Sequence, residues 1–97
     1  MQLLSVQKFA GAANQEFEIS VGEAAMTVTL IEVKPLQRHA FPGMLREPFS
    51  LLFKSASPVI LPQKMYRMQN PTVGSLSMFL VPVAQDGGAI VYEAVFN

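Results

Sequence analysis

The residues best suited to chemistry in this 97-residue chain sit close together. Arg38, His39 and Arg46 share a segment that also holds Pro35, Pro42, Gly43 and Pro48. Three cationic or titratable groups in a charge-poor chain could hold a small anion, so they form the candidate anion-binding or interface loop. Other chemistry finds less support. There is no cysteine, which rules out disulfides and Cys-based zinc sites. With one histidine, further metal ligands would have to be carboxylates. Glu16 and Glu18 lie two apart and could share one strand face. A solvated polar face is the commoner use of such a pair. Asp86 is the one aspartate, and no G-x-S-x-G elbow occurs. Neither glycine-rich phosphate fingerprint is present. No catalytic, cofactor-binding or metal-binding residue is therefore assigned, and the chain is read as non-enzymatic.

The elements that must position these groups follow from periodicity. Residues 4–13 fit a short helix, with Ser5 as N-cap, Val6, Phe9, Ala10 and Ala13 on one face, and Asn14 ending it left-handed. From Glu16 the period becomes two: Phe17, Ile19 and Val21 alternate with polar residues. After a turn at Gly22–Glu23, Met26, Val28 and Leu30 continue the pattern against Thr27 and Thr29, with Ile31 and Val33 extending the apolar surface. Residues 34–48 break regular structure. Strands are then expected over 49–54, 63–69, 75–83 and 89–96. Asn70-Pro71-Thr72-Val73-Gly74 and Gln85-Asp86-Gly87-Gly88 supply turns. Pro82 places the end of its strand at an edge or bulge. The expected fold is a single mainly β domain over residues 1–97: a short N-terminal helix and about six antiparallel strands in a meander. The sheet closes as a small barrel or a two-sheet sandwich, with the last strand as a possible edge for strand addition. No internal repeat is visible.

Composition bears on function. Hydrophobic residues make up 51% and charged residues 14%, against about 25% charged in a typical domain. A small domain needs much polar cover, so apolar surface should remain after folding, which usually marks a contact. The chain is read as a structural or protein-interaction domain: a homo-oligomer or the docked partner of another protein. Net charge is zero, yet residues 33–85 hold six of the seven Lys and Arg against Glu47 alone. The alternative is therefore a small-anion or nucleic-acid binding module built on the basic 34–67 segment, with Phe41, Phe49 and Tyr66 nearby. Zero net charge and the core parity of most Phe residues weigh against nucleic acid. There is no signal-peptide pattern and no apolar run long enough for a membrane, so the expected location is the cytoplasm.

The C-terminal half carries a resemblance. Phe49-Ser50-Leu51-Leu52-Phe53, Leu61-Pro62-Gln63 with Tyr66, Gly74, Met78-Phe79-Leu80-Val81-Pro82-Val83 and the closing Tyr92-Glu93-Ala94-Val95-Phe96-Asn97 resemble an uncharacterised family of short bacterial all-β domains. The likeness covers about residues 9–97. That family's pattern often has His where this chain has Asn70, a position that needs only a turn former. The resemblance implies no activity and no cofactor. Through an association with genes near phage-tail-collar-type proteins, it implies a phage-tail-like assembly as partner.

Overall fold

The computed structural model describes residues 6–36 and 48–96. It contains one helix, α1 (Val6–Ala10), and six strands: β1 (Glu16–Val21), β2 (Ala24–Pro35), β3 (Phe49–Ser55), β4 (Lys64–Asn70), β5 (Gly74–Asp86) and β6 (Ala89–Phe96). All pairings are antiparallel, and the strands close into a barrel in the order β1-β2-β3-β6-β5-β4. The barrel alternative of the sequence reading is therefore the observed one.

The connectivity is not the expected simple meander. Two three-stranded meanders, β1-β2-β3 and β4-β5-β6, are joined at two seams, β3–β6 and β1–β4. The β3–β4 connection carries the chain from one meander to the other, giving a Greek-key order. The halves match in outline. β2 and β5, of 12 and 13 residues, are the long middle strands. Each has a register shift, at Ile31 and at Val83. β2 pairs with β1 up to Thr29 and with β3 from Thr29 onward. β5 pairs with β4 up to Leu80 and with β6 from Val81 onward. This architectural repeat leaves no trace in the residue order.

Several local expectations change. Ile31 is the extra residue of a bulge and is exposed, because the shift restores parity at Glu32 and Val33. The bulge signalled by Pro82 is present, but β5 continues beyond it to Asp86. β2 runs through Lys34 and Pro35, and Leu36 N–H donates to the Pro48 carbonyl, so these ends of the 34–48 segment are ordered. β6 is not an edge: it pairs with β3 along its length and with β5 from Ala89 to Glu93. The helix is one short turn, and its buried residues are Phe9 and Ala12 rather than Ala10 and Ala13. The chain tightens after Gly11 into i→i−3 bonds, which rotates position 12 inward. Asn14 does take a left-handed φ of 66°, and its N–H donates to the Leu30 carbonyl. Ser5 lies outside the described residues.

Inward residues of every strand meet in one core. Phe17 and Phe53 pack edge to face at 5.2 Å. Phe49 and Phe96 stack at 4.8 Å, and Phe9 leans on both, so α1 plugs that end of the barrel. The connection between β3 and β4 lies against core residues of the other half. The Leu61 N–H donates to Tyr92 Oη at 3.0 Å, Tyr92 Oη donates to the Val59 carbonyl at 3.4 Å, and Tyr66 Oη donates to the Pro62 carbonyl. Both tyrosines of the chain thus serve this one connection.

Candidate interaction surface

The outer wall of the barrel follows from the period of two. With Tyr66 and Met68 inward, Met65, Arg67 and Gln69 of β4 must face out. On β5 the buried Met78 and Leu80 put Ser77 and Phe79 outside. Register sets Met65 directly opposite Phe79, and both stay about half exposed, at 57% and 48%. Leaving two such side chains half in water forgoes about 1 kcal/mol apiece. Among the described residues, Val95 of β6, Val83 at the β5 bulge, Ile31 at the β2 bulge, and Val59 and Ile60 of the β3–β4 connection are the other large exposed apolar residues. Val59 and Ile60 are held by the backbone beside them, whose groups bond to Tyr92.

A hollow of about 500 Å³ opens beside the β1–β4 seam, lined by polar residues such as Glu16, Glu18, Thr27 and Gln69 together with Phe17 and Pro71. Glu16 and Glu18 share the exposed face of β1, as their spacing requires. The Glu18 carboxylate accepts from Gln69 Nε2 at 3.0 Å. Asn70 is buried at the rim and makes four bonds. Its Oδ1 accepts from the N–H groups of Thr72 and Val73, at 2.8 and 2.9 Å. Its Nδ2 donates to the Glu16 carbonyl at 2.9 Å and to Gln15 Oε1 at 3.1 Å. Thr72 Oγ1 also donates to Gln15 Oε1, at 2.8 Å. Asn70 therefore serves as turn former, as its sequence context suggests, and it also ties the β4–β5 turn to β1. Among the described residues no three His, Cys, Asp or Glu side chains converge. No buried side-chain nitrogen or oxygen among them lacks a partner. Around the hollow, the Glu18 carboxylate and the Gln69 and Asn70 amides are thus engaged in bonds that hold the β1–β4 seam.

The candidate loop residues Arg38, His39 and Arg46 lie outside the described residues, as does Phe41. Other members of the basic segment are placed. Lys54 Nζ pairs with Asp86 Oδ2 at 3.1 Å across β6. Lys64 Nζ stands 5.3 Å from the centre of the Tyr66 ring. Phe49 and Tyr66, proposed from sequence as aromatics beside the cations, are buried in the core. Burial, and then the neighbouring Tyr92, push the Tyr66 hydroxyl above its ordinary pKa of 10.0.

Sequence reasoning missed Met65 and Phe79 as a surface pair. The inward assignment of Tyr66 and Met68 already carried the signal for Met65. Phe79 sits in an unbroken apolar run, where parity cannot be read without the register. No helix among the described residues is long and apolar enough to cross a membrane.

A family profile described as a domain of unknown function (DUF6916) matches residues 4–96. No curated protein and no solved structure matches the chain.

Proposed function

The chain belongs to that family, whose role is not established, and on this premise we propose a non-enzymatic structural or protein-interaction domain, an oligomeric or assembly component working in the cytoplasm. The observation that carries this reading is the cross-strand pair Met65–Phe79, half exposed on the outer wall of a barrel whose core is otherwise closed. A small barrel with 14% charged residues gains stability by covering such side chains, because burial of apolar area is the main favourable term in association. The sequence resemblance adds a phage-tail-like assembly as the setting.

The test is mass-resolved size exclusion of the full chain, followed by native co-purification. A defined oligomer, or a partner held in stoichiometric amount, is the expected result. A clean monomer at high concentration with no retained partner would overturn the reading.

A further inference from the structure

We propose that the outer wall of β4, β5 and β6 centred on Phe79 packs face to face on the same wall of a second copy, with Arg67 of each chain paired to Glu93 of the other. This rests on the assembly reading above and names its partner. The half-exposed pair Met65–Phe79 extends onto β6. Val81 lies opposite Glu93, and the same register carried along both strands sets Phe79 beside Val95, itself half exposed. Met65, Phe79 and Val95 thus form one apolar row across three neighbouring strands. Val81 of β5 and Leu52 of β3, both partly exposed, flank Glu93 and widen the apolar face. The wall formed by β1 and the start of β2 differs, with Glu16, Glu18, Ser20, Thr27 and Thr29 outside.

The charges on this face select what covers it. Glu93 is only partly exposed, with Val81 and Leu52 on either side and Val91 and Val95 along its own strand. Lys54, a diagonal neighbour on β3, is engaged by Asp86, and no cation pairs with Glu93 among the described residues. A carboxylate in an apolar surface loses water when that surface is covered, so the cover must bring a cation. The same wall carries one. Arg67 is exposed on β4, and its ladder neighbour Ser77 offers it no charge.

The two charged groups are placed evenly about Phe79. Arg67 lies one strand to one side, opposite Ser77, two residues before Phe79. Glu93 lies one strand to the other side, opposite Val81, two residues after it. The midpoint of the two therefore falls on Phe79. At about 4.8 Å per strand and about 3.4 Å per residue they stand about 17 Å apart in one chain, too far to pair. Two copies can instead pack Phe79 on Phe79 about a two-fold axis that lies between the walls and crosses the Arg67–Glu93 line at right angles. Each arginine then lands over the glutamate of the other copy, and the isologous contact makes the pair twice, once on each side of an apolar centre. The β5 strands of the two copies cross at about 70°, near the orthogonal class of sheet packing. A partner that fits Glu93 alone leaves Arg67 unused, whereas a second copy satisfies both.

The test is charge reversal on the full chain, sized by mass-resolved size exclusion over a concentration series. The variants are Arg67→Glu, Glu93→Arg, the two together, and Glu16→Arg, which makes the same change in net charge as Glu93→Arg but on the polar wall. Melting temperatures check that each variant is folded. The expected result is a parent dimer that each single reversal at Arg67 or Glu93 weakens by about tenfold or more, because like charges then meet. The double variant returns to within about threefold of the parent, as coupled partners require, and Glu16→Arg leaves the dimer in place. If Glu93→Arg does not fold, Arg67→Glu decides: a weakened dimer supports the contact and an undisturbed one overturns it. A dimer that neither single reversal weakens, that the double variant does not restore, or that Glu16→Arg weakens as much, overturns this interface and leaves the assembly reading standing. A monomeric parent overturns this interface and removes self-association from that reading, leaving the retained-partner arm to decide the rest.

Discussion

The two seams that close the barrel are built in different ways. β3 and β6 meet over seven paired positions, from Phe49↔Phe96 to Ser55↔Ile90, with Phe53 beside Tyr92 facing the core. β1 and β4 meet at two, Glu18↔Gln69 and Ile19↔Met68. The short seam is reinforced by side chains: Gln69 to Glu18, and Asn70 to Gln15 and the Glu16 carbonyl. Where the backbone ladder is long, apolar packing suffices. Where it is short, amides take over the role of the missing rungs. An amide serves well there because it both donates and accepts, and so can bridge two backbones.

The sharpest way to break this comparison is Asn70→Ala. It strips two acceptor contacts from the turn and two donor contacts from the seam, and leaves the buried Val73 N–H without its partner. The expected cost is about 2–3 kcal/mol, a fall in melting temperature of about 10–20 °C. A loss of only a degree or two on thermal denaturation would mean that the seam is held by packing alone.

Alkaline titration gives an intermediate effect farther along the same strand, β4. The folded state holds the Tyr66 proton more tightly than an ordinary tyrosine at 10.0 does. The unfolded chain therefore releases its proton first as pH rises, and stability falls above that value while remaining intact below it. Tyr66→Phe is expected to lower stability at neutral pH through loss of the bond to the Pro62 carbonyl, and to flatten the alkaline limb. Urea melts of both proteins across pH 8 to 11 check this, and limbs of equal slope would remove Tyr66 as the cause.

The smallest effect is expected at Lys54→Ala. Its ion pair with Asp86 spans β6 on the outside of the long seam, with the two side chains 40% and 71% exposed. Solvent and salt screen such a pair, so the change should stay within about 0.5 kcal/mol in chemical denaturation. A cost comparable to that of Asn70→Ala would show that the long seam also depends on polar ties.

Much of the fold was legible from local pattern. The alternation in β1 and the early part of β2, the turns at Gly22 and at Gly87–Gly88, and the left-handed Asn14 are all present. Positive φ at Gly22, Gly87 and Gly88 is what short hairpin loops demand. The candidate site was less legible. Asn70 reads from sequence as a turn former, but its second role depends on β1, more than fifty residues earlier. Tyr66 looks like an available aromatic beside cations until its hydroxyl is seen bound to Pro62 and its ring buried.

The sequence by itself determined where strands begin and turn, and which side of most strands is apolar. These are set by φ preferences and a period of two that act over a few residues. Only the tertiary structure decided that two meanders close on each other, that β6 lies between β3 and β5, and that β5 changes its ladder partner halfway along. Those outcomes depend on how strands far apart in the chain are staggered when a sheet curls shut. Stagger is a property of the closed sheet, with no counterpart in any single stretch of residues.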